Sequence, residues 1–130
     1  MKMEAELNMH FHFDGKCLEA IEFYNDAFNA EVKTLIMSPA AERESEVAHA
    51  EMNLYNQKVT FSDSFGGSQK SSEEGILSLS IRFSDEAEFK KVFSKFCETS
   101  RIIRPIHKTD YSTLVVDFID IFGVRWIFWI

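Results

Sequence analysis

One order of segments occurs twice in this 130-residue chain, and that repetition constrains the fold more than any single motif. Leu7 to Phe13 alternates Leu7, Met9, Phe11 and Phe13 with Asn8, His10 and His12, the period of a strand with one apolar face. Asp14-Gly15 breaks it. Cys17 to Asn29 then places Leu18, Ile21, Tyr24 and Phe28 on one face and Glu19, Glu22 and Asn25 on the other. That spacing predicts an amphipathic helix packed on a sheet, with Asn29 as its left-handed stop. Glu31 to Met37 reads as a strand, Ser38 to Glu46 as a polar loop, and Val47 to Leu54 as an alternating strand. Tyr55-Asn56-Gln57 turns the chain into a further strand over Lys58 to Ser62.

The second half follows the same order. Ile76 to Phe83 alternates, and Ser84 or Asp85 caps a helix carrying Phe89, Val92, Phe93, Phe96 and Cys97 on one face. Strands follow over Arg101 to His107, with Pro105 marking an edge or a bulge, and over Tyr111 to Phe118. Asp120-Ile121-Phe122-Gly123 turns into a last strand, Val124 to Ile130. Phe65 to Gly75, rich in Gly and Ser, connects the halves. The expected fold is α+β: one domain over 1–130, with a βαβββ module over 1–65, a connection over 66–75 and a second module over 76–130. A single module has one sheet face to bury, so two copies are expected to close around a concave pocket.

Composition narrows the function. A formal charge of −7 disfavours nucleic acid, because phosphate binding needs clustered Lys and Arg. Lys90-Lys91 and Arg101 to Arg104 are short and fit a solvated helix face and its exit. No run approaches the ~20 apolar residues of a membrane span. Met1 to His10 has acidic residues and no apolar core, so no signal peptide is expected. Two cysteines, Cys17 and Cys97, form no C-x-x-C pair and suit reduced thiols in a cytoplasmic protein.

Phe11-x-Phe13-Asp14-Gly15, Glu19-Ala20-Ile21-Glu22-Phe23-Tyr24, Ala27-Phe28, His49-Ala50-Glu51-Met52 with Phe61-Ser62-Asp63, and Asp120-x-Phe122-Gly123-Val124-x-Trp126 resemble, in that order, the PhnB-like proteins. These belong to the vicinal oxygen chelate superfamily, the glyoxalase/bleomycin resistance fold. The resemblance covers nearly the whole chain. It implies curved mixed sheets around a pocket, a small-molecule ligand and a homodimer, often with modules paired across subunits. Metal-dependent members use His, Glu or Gln ligands for Zn, Mn, Fe or Ni. The matching positions here fall near Asn8 or Leu7, Ser78 and Ile127, which are poor ligands, so no metal site and no cofactor are carried over. Nor does a nucleotide-type methyl-donor loop occur, which discounts the ubiquinone methyltransferase activity sometimes attached to such proteins.

His10 and His12 point to one side of a strand, as do His49 and Glu51. Three His and one Glu could hold a divalent metal, or simply cover the face opposite Phe11 and Phe13. A neutral His49 beside Glu51 could act as a base, which makes this pair the catalytic candidates. His10, His12, Tyr24, Phe61 and Trp126 are candidate ligand contacts; for the aromatics, Trp129 included, core packing is the competing role. Asp63 is expected to close a strand end, and Asp117 to be paired or pocket-facing. Cys17, near a helix start, is read as a small hydrophobe. Neither a G-x-S-x-G element nor a phosphate loop is present. The favoured function is a PhnB-like small-molecule-binding protein, with metal-independent catalysis on a small metabolite left open. The alternatives are a resistance-type binder that sequesters without chemistry, and a metal-dependent lyase, isomerase or dioxygenase.

Overall fold

The computed structural model describes residues 5–63 and 77–130. The chain divides into two compact units, Met1–Gln69 and Lys70–Ile130. The Gly- and Ser-rich connection expected over 65–75 falls outside the described residues.

In the first unit, β1 (Met9–Phe13), β2 (Val32–Met37), β3 (Val47–Leu54) and β4 (Gln57–Asp63) form a sheet in the order β1-β4-β3-β2, crossed by α1 (Cys17–Phe28). β1 runs parallel to β4, while β2 and β4 run antiparallel to β3. Strand alternation delivers Phe11 and Phe13 to the helix side, where they bury with Ile21, Tyr24, Met52 and Phe61. Phe11 packs edge-on against Phe61, ring centres 5.0 Å apart. Each such side chain contributes about 1.5–3 kcal/mol of burial, which is what binds α1 to the sheet.

Three local devices fix this unit. Asp63 ends β4 with a buried carboxylate that accepts the Cys17 N–H at 3.1 Å and the Val47 N–H at 2.9 Å. It thereby serves the first turn of α1, which no neighbouring side chain caps. Asn29 ends the helix at φ 52° and ψ 44°, the left-handed stop its sequence position suggested. Tyr55 and Asn56, both at positive φ, make the two-residue hairpin between β3 and β4. Gln57 therefore begins β4 rather than ending the turn. The expected start of β1 at Leu7 also needs correction. Pairing begins at Met9 opposite Val59, and the chain before Val59 heads into the hairpin, so Leu7 has no partner and is 93% exposed.

The second unit repeats the topology. β5 (Leu79–Arg82), β6 (Arg101–His107), β7 (Val115–Ile119) and β8 (Arg125–Trp129) lie in the order β5-β8-β7-β6, with α2 (Glu86–Ser94) on one face. The register repeats too: Leu79 pairs with Trp126 as Met9 pairs with Val59, and Asp117 pairs with Ile127 as Glu51 pairs with Thr60. Asp85 caps α2 through the Ala87 N–H at 2.7 Å. Pro105 lies on the edge strand within a register shift between Arg104 and His107. Phe83, Phe89, Phe96, Phe118, Trp126 and Phe128 form the core.

Several boundaries differ from expectation, among them β5, which begins at Leu79, and β8, which begins at Arg125. α2 stops at Ser94, after which the N–H groups of Lys95 and Phe96 reach the carbonyls of Val92 and Phe93, three residues back. This tightening turns Phe96 inward and leaves Cys97, expected on the apolar face, exposed. β7 begins at Val115 because Ser112 curls the preceding chain, its hydroxyl lying 2.8 Å from the carbonyls of both Leu114 and Ile130.

Candidate functional site

β1 and β4 are parallel and in register, so His10 lies beside Thr60 and His12 beside Ser62. β3 continues the face with Glu51 beside Thr60, and His49 follows two residues earlier on the same side. The face of the first sheet opposite α1 therefore gathers three of the chain's four histidines, with Lys58 at its margin.

His10 is engaged at both ring nitrogens, Nδ1 with Thr60 Oγ1 at 2.6 Å and Nε2 with Ser62 Oγ at 2.8 Å. The Thr60 hydroxyl can donate to the Met9 carbonyl, 3.4 Å away. Thr60 Oγ1 then accepts from His10 Nδ1–H, and His10 Nε2 accepts from the Ser62 hydroxyl; the tautomer follows from this network. Loss of hydration and the neighbouring His12 and His49 hold the His10 pKa below its usual 6.5, which favours the neutral ring that the network needs.

His49 Nε2 lies 2.9 Å from Glu51 Oε2, and Lys58 Nζ lies 3.5 Å from Glu51 Oε1. The His49 hydrogen bond, chiefly, and Lys58 hold the Glu51 carboxyl below the usual carboxylate range. An ionised Glu51 can only accept, so His49 donates from Nε2, and in the neutral ring Nδ1 then carries the lone pair. Among the described residues neither His49 Nδ1 nor either His12 nitrogen has a hydrogen-bond partner. The His10 and His12 rings stand 4.6 Å apart, centre to centre. This is the carboxylate–imidazole arrangement that orients a general base.

The other candidates lie elsewhere. Tyr24 and Phe61 are fully buried on the helix side of the first sheet, away from the histidine face. Trp126 is buried in the second unit, its indole N–H donating to Asp120 Oδ2 at 2.9 Å. Asp117 is paired, receiving both Nε and Nη2 of Arg125 at 3.0 and 2.8 Å. Cys17 is a buried thiol, its pKa pushed up to about 12 by burial and then by Asp63, so it is no nucleophile at neutral pH. Sequence reasoning missed Thr60, Ser62 and Lys58. Their signal was the alternation of Lys58, Thr60 and Ser62 with Val59 and Phe61.

Among the described residues no group of three or more His, Cys, Asp and Glu side chains is arranged to hold a metal ion. Of the positions that the resemblance implies for metal ligands, Leu7 and Ile127 lack donors, and Asn8 and Ser78 lie outside the strands, so these residues do not fit a divalent metal. Among the described residues no helix is long and apolar enough to cross a membrane.

Two four-stranded mixed sheets of repeated register, each carrying one helix, make the fold seen in glyoxalase/bleomycin resistance/dioxygenase proteins. Residues 5–128 match the 3-demethylubiquinone-9 3-methyltransferase family, the PhnB family, and the chain belongs to that family. The PhnB protein of Bacillus cereus shares the fold at 24% identity and a TM-score of 0.86, over 96% of this chain and 98% of that one. A glyoxylase/bleomycin resistance protein/dioxygenase domain from Frankia matches at 8% identity and a TM-score of 0.72, over 99% and 98%. The fosfomycin resistance protein FosX of Mesorhizobium loti matches at 10% identity and a TM-score of 0.66, over 98% and 92%. No curated protein matches significantly.

Proposed function

We propose that this PhnB-family chain binds a small polar metabolite on the histidine face of its first sheet, where His49 serves as a metal-independent proton acceptor. One observation carries the reading. Glu51 holds His49 by Nε2 at 2.9 Å, leaving Nδ1 without a partner among the described residues. Glu51 is the positioning carboxylate. His12 offers a second unengaged imidazole, and His10, locked between Thr60 and Ser62, offers a preset ring. Proton transfer by a positioned side chain contributes typically ~10²–10⁴-fold to a rate. A neutral imidazole held this way suits abstraction of a proton from carbon or hydroxyl. The family description names a methyltransferase; the open His49 nitrogen favours proton transfer instead. The protein is read as a cytoplasmic homodimer that makes no contact with nucleic acid.

A thermal-shift screen of polar metabolites, followed by turnover assays on the hits, tests this. Hits should stabilise the native chain, lose that effect in the His12→Ala/His49→Ala variant, and give product that His49→Ala alone abolishes. Zn²⁺ or Mn²⁺ should leave the melting temperature unchanged, since a ligand bound only by the native state must raise it. Light scattering at micromolar concentration should give twice the chain mass. Hits that ignore both substitutions, or a melting temperature raised by metal, would contradict the reading. Binding lost in the double variant with no product from any hit would instead favour the sequestering binder.

A further inference from the structure

The second sheet carries different chemistry at the same register positions. Where the first unit has His12 beside Ser62, the second has Arg82 beside Trp129. Where it has Lys58 on Glu51, the second has Arg125 on Asp117. Both units therefore neutralise one cation internally, but Arg82 is an additional one. Its guanidinium carbon stands 5.1 Å from the centre of the Trp129 ring, and among the described residues it forms no ion pair. Trp129 is itself fixed, its indole N–H donating to Ser80 Oγ at 2.9 Å. Tyr111, 68% exposed, sets its ring 6.0 Å from that of Trp129. Arg82 also borders a cavity of about 360 Å³, lined by Phe83, Ser84 and Ile130.

We propose that Arg82, Trp129 and Tyr111 form a second binding site, for a small aromatic carboxylate. A guanidinium held over an indole by a cation–π contact keeps its N–H groups for a carboxylate, which it can take through two parallel hydrogen bonds. Tyr111 and the exposed part of Trp129 offer an aromatic surface to the ring of the same ligand. The site shares no residue with the histidine face, so either can fail without the other.

The test follows the Trp129 indole N–H resonance of the ¹⁵N-labelled full chain, assigned with Trp129→Phe, during titration with benzoate, benzyl alcohol or acetate. Benzoate should shift it saturably below ~10 mM, and benzyl alcohol and acetate should each bind at least about tenfold more weakly. Arg82→Gln should weaken benzoate at least about tenfold at an unchanged melting temperature, with Arg82→Lys between the two, as loss of the bidentate fork requires. An unmoved indole at the highest benzoate concentration, equal binding of either control compound, or undiminished binding by Arg82→Gln would each overturn the proposal.

Discussion

His10 shows how a single side chain couples the candidate site to stability. Its folded pKa lies below the 6.5 of the free side chain, first through loss of hydration and then through His12 and His49. Between the two values the unfolded chain holds more protons than the native one, so acid favours unfolding. The contribution of His10 is thus complete above pH 6.5 and is lost as pH falls from there toward the depressed native value. The melting temperature should drop more steeply between pH 7 and 5 in the native sequence than in His10→Asn; parallel profiles would refute the coupling. Alternation put His10 and His12 on the face opposite Phe11 and Phe13, and this much was legible from the sequence. Their partners were not, because Thr60 and Ser62 lie fifty residues away and only strand pairing joins them. Tyr24, Phe61 and Trp126 show the opposite limit: nothing in an aromatic's spacing says whether its surroundings are core or ligand.

At the scale of elements, the order and patterning of segments located both helices and all eight strands of the described residues, while their ends depended on contacts that no local pattern encodes. Asn29 and Asp85 act through their own neighbours and could be placed in advance. Asp63 caps α1 from the end of the neighbouring strand, visible only once β4 lies beside β1. The tightened end of α2 has a chemical consequence: Cys97 faces solvent while Cys17 is sealed with its pKa near 12. Iodoacetamide at pH 8 should therefore add one group per native chain, at Cys97, and two after denaturation, since only the accessible thiolate reacts. Mass spectrometry showing rapid double labelling of the native protein would place the end of α2, or the burial of Cys17, elsewhere.

Across the whole molecule, repetition is strongest in the backbone and weakest in the open sheet faces. The order of elements, the strand order and the strand register all recur, and so does a carboxylate–cation pair, Glu51 with Lys58 and Asp117 with Arg125. The twofold order could be read from segment spacing because each unit needs one helix to cover one apolar sheet face. The reactive groups could not, because the open faces are free to diverge: imidazoles and hydroxyls on the first sheet, a guanidinium and aromatic rings on the second. Proton transfer on the first sheet requires that Glu51 fix His49 with Nδ1 free to take a proton. Long-range ¹H–¹⁵N correlation spectra of the histidine rings at pH 7.5 test this most directly. The expected result is an Nε2–H tautomer at His49, lost to a mixture of tautomers in Glu51→Gln. A His49 protonated at Nδ1, or a tautomer indifferent to that substitution, would contradict it.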